Sequence, residues 1–173
     1  MRVIAGSLKG RQLKSPTWDG LRPTSDRLRE TLFNVLGARV PEARVLDGYA
    51  GTGAVGIEAI SRGAAAVTFV ERDRRARTLI ADNLVRCGVD SGCAIIRAGF
   101  DRLGPFDIVL LDPPYGDDPE RVLAATAGLV APGGLLVLEH AKRQAAPVSA
   151  AGLARTRQLV SGDSVLSLYS CPP

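Results

Sequence analysis

An α/β fold, with a mostly parallel sheet closed by an antiparallel hairpin, follows from three features of this 173-residue sequence. Strand-like and helix-like stretches alternate from residue 44 to residue 139. A glycine-rich turn, GYAGTGAVG, separates the first such strand from the first such helix. An apolar run, Val109 to Leu111, stops abruptly at Asp112-Pro113-Pro114-Tyr115. Alternation of this kind marks parallel strands, because each return to the same edge needs a crossover, usually a right-handed helical one.

The elements follow in order. Residues 44–47 are expected as a strand, 54–62 as a helix, 66–71 as a strand, 74–87 as a helix ended by Gly88, and 94–97 as a third strand. The fourth strand is expected at 107–112, a helix at 119–129 and the fifth strand at 135–139. Residues 156–160 and 165–169, separated by Ser161-Gly162-Asp163, read as the antiparallel hairpin. The alanine-rich stretch 145–154 reads as a loop or short helix. Ahead of the alternation, Val3, Ile4, Ala5 and Gly6, then Lys9-Gly10-Arg11 and Leu13, suggest a short hairpin with cations near its turn. Residues 17–23 read as loop. Leu28, Leu32 and Val35 or Leu36 recur at helical spacing, with Thr24 as the expected N-cap, Asp26 in the first turn and Gly37 closing the helix.

Charge divides the chain unevenly. The formal net charge is +4, but residues 1–44 carry nine Lys or Arg against four acids. The expected organisation is a small basic N-terminal extension, residues 1–40, on a Rossmann-like domain, residues 41–173. A basic segment on a near-neutral body suits a polyanionic partner as well as a solvated face. Arg22, Arg27 and Arg29 all fall near the start of the first helix, where its positive end makes an anionic partner favourable. No stretch reaches the roughly 18 apolar residues of a membrane span, so a cytoplasmic protein is expected. Cys87, Cys93 and Cys171 match no zinc spacing, and His140 is the lone histidine, so no metal and no disulfide frame are expected.

Gly51, Gly53 and Gly56 satisfy G-x-G-x-x-G between a strand and a helix. Glycines let the backbone turn tightly, and the N–H groups of the helix start face whatever binds there. Glu71 ends the second strand, where a carboxylate can accept both hydroxyls of a ribose. Together they indicate an adenosine-containing ligand, of a nicotinamide-dependent oxidoreductase or an S-adenosylmethionine-dependent methyltransferase.

The fourth strand decides between these two. With strand order 3-2-1-4-5, the loops after strands 1 and 4 flank the switch point of the sheet. Hydride transfer has no need of Pro-Pro-Tyr there, whereas methylating an amine does. An exocyclic amine is a poor nucleophile, since its lone pair is delocalised into the ring, and must be held in line with a sulfonium methyl. Asp112 can accept one N–H and the Pro113 carbonyl the other, and both favour the charge that grows on nitrogen. Pro114 stiffens the loop, and Tyr115 offers a ring for stacking on the base, worth about 1–3 kcal/mol. Asp112 can also take the proton released.

At these residues the chain resembles the bacterial 16S ribosomal RNA guanine-N2 methyltransferases of the RsmD type. The resemblance rests on RVIAGSLKGRQL with LRPTSDRLRETLFNVL, on VLDGYAGTGAVGIEAISRGA and on FDIVLLDPPY. It implies a class I fold, S-adenosylmethionine as co-substrate, and methylation of a guanine at ribosomal position 966 in a small subunit or late assembly intermediate. It further implies that Asp47, Gly51, Thr52 and Gly53 hold the methionine part of the donor and Glu71 its ribose, with Asp112 to Tyr115 catalytic. Related enzymes often bind the adenine with Asp or Asn after the third strand. Here Gly99 stands there, which passes that contact to the backbone of Gly99 and Phe100. Arg11, Lys14, Arg22 and Arg27 are candidates for RNA phosphates, and a monomer is expected. Single-stranded or looped guanine is the accessible target, because the A-form major groove is too narrow for side chains. Two alternatives remain: a DNA amino-methyltransferase and a non-catalytic nucleotide-binding module on RNA.

Overall fold

A computed structural model of the chain describes residues 1–20, 24–97, 99–100 and 103–172. It divides into two compact units, Met1–Ala98 and Gly99–Pro173. In the first unit, α1 (Asp26–Leu36) precedes a series of β1 (Arg44–Gly48), α2 (Ala54–Ser61), β2 (Ala66–Val70), α3 (Arg74–Cys87) and β3 (Cys93–Ile96). Its strands run parallel in the order β3-β2-β1. In the second unit, β4 (Phe106–Leu111), α4 (Pro119–Thr126) and β5 (Val130–Ala141) lead to β6 (Ser149–Ala150), β7 (Leu153–Ser161) and β8 (Ser164–Ser170). There β4 and β5 are parallel, and β5-β8-β7-β6 are antiparallel neighbours. The expected class, a mostly parallel α/β sheet with an antiparallel C-terminal hairpin, is what forms.

The local causes are mostly those of the sequence. β4 is apolar throughout its buried stretch because a strand covered on both faces exposes no polar side. Gly88, in the left-handed conformation, ends α3, and its N–H returns to Leu84 O and Val85 O. Asp118 caps α4, with Pro119 at the first helical position, where a missing N–H costs nothing.

Four expectations change. The N-cap of α1 is Ser25 rather than Thr24: the Ser25 side chain accepts Leu28 N–H at 3.2 Å. β5 begins five residues earlier than expected, across Pro132 and two glycines, by way of a register shift against β4 between Phe106 and Ile108. The stretch around Ser149, expected as a loop or short helix, forms the short edge strand β6. Finally, Arg29 is no surface cation. Its side chain is fully buried, with Nη2 donating to Arg2 O and to Asp26 Oδ1, both at 2.7 Å, and Nη1 3.7 Å from Glu58 Oε2. Of the three arginines near the start of α1, Arg27 is exposed and Arg22 lies outside the described residues.

The expected N-terminal hairpin exists in reduced form. Val3 N–H donates to Arg11 O, Gly10 N–H to Val3 O and Leu13 N–H to Met1 O, around one bridge between Arg2 and Gln12. What fixes it is α2. Buried Glu58 accepts Ile4 N–H at 2.8 Å, Ala5 N–H at 3.0 Å and Arg62 Nε at 2.8 Å. Ser61 Oγ accepts Leu8 N–H at 2.9 Å and donates to Ala5 O. Gly6 makes this approach possible: a Cβ there would stand 1.9 Å from Ser61 O, at a φ of +83°. Residues 1–13 are therefore stitched to the helix that begins at the glycine turn.

Candidate active site

The glycine turn and Glu71, expected to hold the donor, lie at the carboxyl ends of β1 and β2. The chain leaves β1 through Tyr49, at a φ of 62°, then passes Gly51 and Gly53 with positive φ before α2 starts. Glu71 follows β2 directly, and its N–H still pairs with Ile96 O at 3.0 Å, so the sheet ladder sets its place. Its carboxylate bridges two loops. Oε2 accepts Gly51 N–H at 2.9 Å, and Oε1 accepts Asp73 N–H at 2.8 Å. An ionised carboxylate has about four acceptor sites, so each oxygen retains a lone pair for a hydroxyl. Asp73, capping α3, is held below the usual carboxylate range chiefly by the Arg75 side chain.

Asp47 sits beneath this turn, almost fully buried, and its Oδ2 accepts Gly56 N–H at 2.8 Å. The acid thereby satisfies an orphan donor of the first turn of α2 and puts negative charge at its positive end. Gly56 allows the fit, since a Cβ there would meet Phe69 Cε1 at 2.2 Å and Asp47 Oδ2 at 2.9 Å. Thr52 is buried too; its hydroxyl contacts Ala54 N–H and Met1 Sδ. Asp47 and Thr52 are thus supports of the turn, Gly51 is buried within it, and half-buried Glu71 stands at its rim.

Sequence reasoning missed Asn83. Fully buried on α3, its Nδ2 donates to Thr52 O at 3.0 Å and Lys14 O at 3.2 Å, while Oδ1 accepts Lys14 N–H at 2.7 Å. One amide joins the glycine turn to the basic segment. Its signal is an amide at 83 between Leu79, Ile80, Leu84 and Cys87 on the buried stripe of α3.

The residues expected to be catalytic belong to the second unit. Asp112 is half-buried directly after β4, Pro113 is buried, and Pro114 and Tyr115 are exposed, Tyr115 by 40%. Pro114 O accepts Asp117 N–H at 2.9 Å, closing a tight turn. Gly99, exposed, and half-buried Phe100 fall in this unit as well. Among the RNA candidates Arg11 and Arg27 are exposed, and Lys14 Nζ meets Asp82 Oδ2 at 2.7 Å in an exposed pair. Cys87, Cys93 and Cys171 are free thiols, and burial pushes Cys87 and Cys93 above the usual range. Among the described residues no helix is long and apolar enough to cross a membrane.

Mostly parallel strands alternating with helices and followed by an antiparallel C-terminal hairpin define the fold of the class I S-adenosylmethionine-dependent methyltransferases. A Streptococcus mutans protein of the SAM-dependent methyltransferase fold superposes with a TM-score of 0.67 at 17% identity, over 83% of this chain and 48% of its own, a likeness of fold alone. The chain belongs to the conserved hypothetical protein 95 family, whose sequence profile matches residues 1–170. It is 35% identical to ribosomal RNA small subunit methyltransferase D of Escherichia coli K12, over 98% of this chain and 89% of that one. The solved structure of Escherichia coli yhhF matches with a TM-score of 0.86 and 33% identity, covering 99% of this chain and 98% of its own. Fold and relatives support a methyltransferase.

Proposed function

We propose that this chain transfers the methyl group of S-adenosylmethionine to the exocyclic N2 amine of a guanine in 16S ribosomal RNA, of the position 966 type. Its substrate in this reading is the small subunit or a late assembly intermediate. The observation that carries it is the Gly51 N–H to Glu71 Oε2 bond, which holds a carboxylate at the rim of a glycine turn with lone pairs left for ribose hydroxyls. The name carried by the Escherichia coli relative supports ribosomal RNA as the acceptor. The donor, when bound, supplies an electrophilic methyl on a sulfonium; the turn Gly51-Thr52-Gly53 takes its methionine part, with Asp47 and the Thr52 hydroxyl supporting that turn from within.

In the second unit, the residues act on the amine. Asp112 and the Pro113 carbonyl accept its two N–H groups, Pro114 keeps the loop stiff, and Tyr115 stacks on the base. Asp112 then takes the proton. The backbone of Gly99 and Phe100 serves the adenine. Residues 1–40 act as an RNA-contacting extension of a methyltransferase domain at 41–173, in a cytoplasmic monomer without metal.

Glu71→Ala is expected to weaken S-adenosylhomocysteine binding roughly 10- to 100-fold, since hydrogen bonds to a charged group are worth about 1.5–3 kcal/mol. Calorimetry showing unchanged affinity would place the ribose elsewhere. Replacing Arg11 and Lys14 together by alanine should lessen the salt slope of RNA affinity by about 1.4 if each meets one phosphate of a single strand. The Lys14–Asp82 pair opposes this little, because exposed pairs contribute about 0–1 kcal/mol. A loss of affinity independent of salt would point instead to damage of the N-terminal hairpin.

A further inference from the structure

The turn after β5 carries an arrangement that the proposed reaction leaves unused. Gln144 Nε2 donates to Tyr115 O and Asp117 O, each at 3.0 Å, and Gln144 Oε1 accepts Ala141 N–H at 3.0 Å. Its own N–H closes the turn on Ala141 O at 2.9 Å. Lys142 N–H donates to Asp163 O at 2.8 Å in the turn between β7 and β8, and Tyr115 Oη lies 3.3 Å from Ser164 Oγ. Residues 112–118, 141–144 and 161–164 thus form one hydrogen-bonded rim of the second unit, with Gln144 at its junction.

The charges on this rim are informative. It bears four acids, Asp112, Asp117, Asp118 and Asp163, which repel a polyanion. Lys142 and Arg143 are its only cations, adjacent in the turn that Gln144 ties to the Tyr115 loop. Both are exposed, and among the described residues neither joins a salt bridge. A base stacked on Tyr115 brings its own backbone phosphates to this rim, so the two cations meet negative charge where the acids alone would exclude it.

We propose that the turn Lys142-Arg143-Gln144 is a phosphate clasp for a single-stranded or looped RNA acceptor. Lys142 and Arg143 take the phosphates beside the target nucleotide. Gln144 is a positioning residue that fixes these cations to the loop bearing Tyr115, keeping backbone capture and base stacking in register. The clasp rests on the RNA reading above, but its binding test does not require turnover.

The test measures binding of a single-stranded RNA oligonucleotide to the full chain across salt concentrations, together with methyl transfer to small ribosomal subunits. Lys142→Ala with Arg143→Ala should lessen the salt slope by about 1.4, two single-strand phosphate contacts at about 0.7 each. Arg121→Ala with Arg157→Ala removes two exposed cations elsewhere in the second unit and should leave the slope as it was. Gln144→Met keeps size and neutrality but loses both donations. It should lower kcat roughly 10- to 100-fold, the effect of a reacting group misplaced by about an ångström, with KM and RNA affinity unchanged. An unchanged slope in the Lys142/Arg143 variant, or an equal loss in the Arg121/Arg157 control, overturns the clasp. A Gln144→Met loss that only follows a lower melting temperature overturns the positioning role. Slope loss with no methyl transfer by the unaltered chain supports the clasp and overturns the proposed reaction.

Discussion

Asp112→Ala is expected to lower methyl transfer by at least roughly 10²- to 10³-fold while donor affinity stays within a few-fold. The carboxylate follows β4 in the second unit, and Glu71 and the glycine turn lie in the first. In the proposed reaction Asp112 meets the amine rather than the donor, and its negative charge stabilises the positive charge that grows on the attacking nitrogen. Removing one such electrostatic partner costs about 2.7–4 kcal/mol of activation free energy in well-studied sites. Asn at this position keeps an acceptor oxygen but loses charge and basicity, so it should fall between the two. Single-turnover rates beside calorimetry with S-adenosylhomocysteine separate these outcomes. Loss of donor binding in Asp112→Ala would move the acid to the donor.

The largest effect on stability is expected from Glu58→Ala. Glu58 and Arg29 are both fully buried, and Glu58 also holds Ile4 N–H, Ala5 N–H and Arg62. Breaking a buried pair from one side costs about 3–5 kcal/mol; Arg29 keeps Asp26 Oδ1 at 2.7 Å, so the loss falls mainly on Ile4 N–H, Ala5 N–H and Arg62, which lose their buried acceptor. Among the described residues Arg29 Nε has no hydrogen-bond partner. Replacing both residues by methionine should be less harmful than Glu58→Ala alone, because apolar groups of similar volume leave no charge behind. Urea denaturation of the three proteins tests this; Glu58→Ala within about 1 kcal/mol of the parent would mean that the pair contributes little.

How far the sequence discloses this architecture depends on the range of the forces involved. The glycine turn, Glu71 at the end of β2 and the stop at Asp112 are legible because strand length, turn chemistry and proline act over a few residues. Ser25 against Thr24 is a choice between neighbours with the same capping chemistry, settled by where the chain enters α1. The early start of β5 is hidden by Pro132, Gly133 and Gly134, which read as a turn but sit in an irregular stretch of the ladder. Arg29, grouped by sequence with Arg22 and Arg27 at a helix start that favours an anionic partner, lies on the buried face formed by Leu28, Leu32, Phe33 and Leu36. Glu58, between Ile57 and Ala59, breaks the apolar face of α2 in the same way. Each position was anomalous alone, and only the fold shows that they answer one another across 29 residues. Gln144 gave no local signal, because its carbonyl partners lie 27 and 29 residues away.

The central claim is that this chain methylates the N2 amine of a guanine in small-subunit ribosomal RNA. The most direct measurement supplies labelled S-adenosylmethionine with small ribosomal subunits, naked 16S ribosomal RNA and DNA in separate reactions, then maps the labelled nucleotide. The account predicts label on one guanine of the ribosomal RNA, as N2-methylguanosine. Label on adenine N6 in DNA, or none in any substrate despite donor binding, would contradict it.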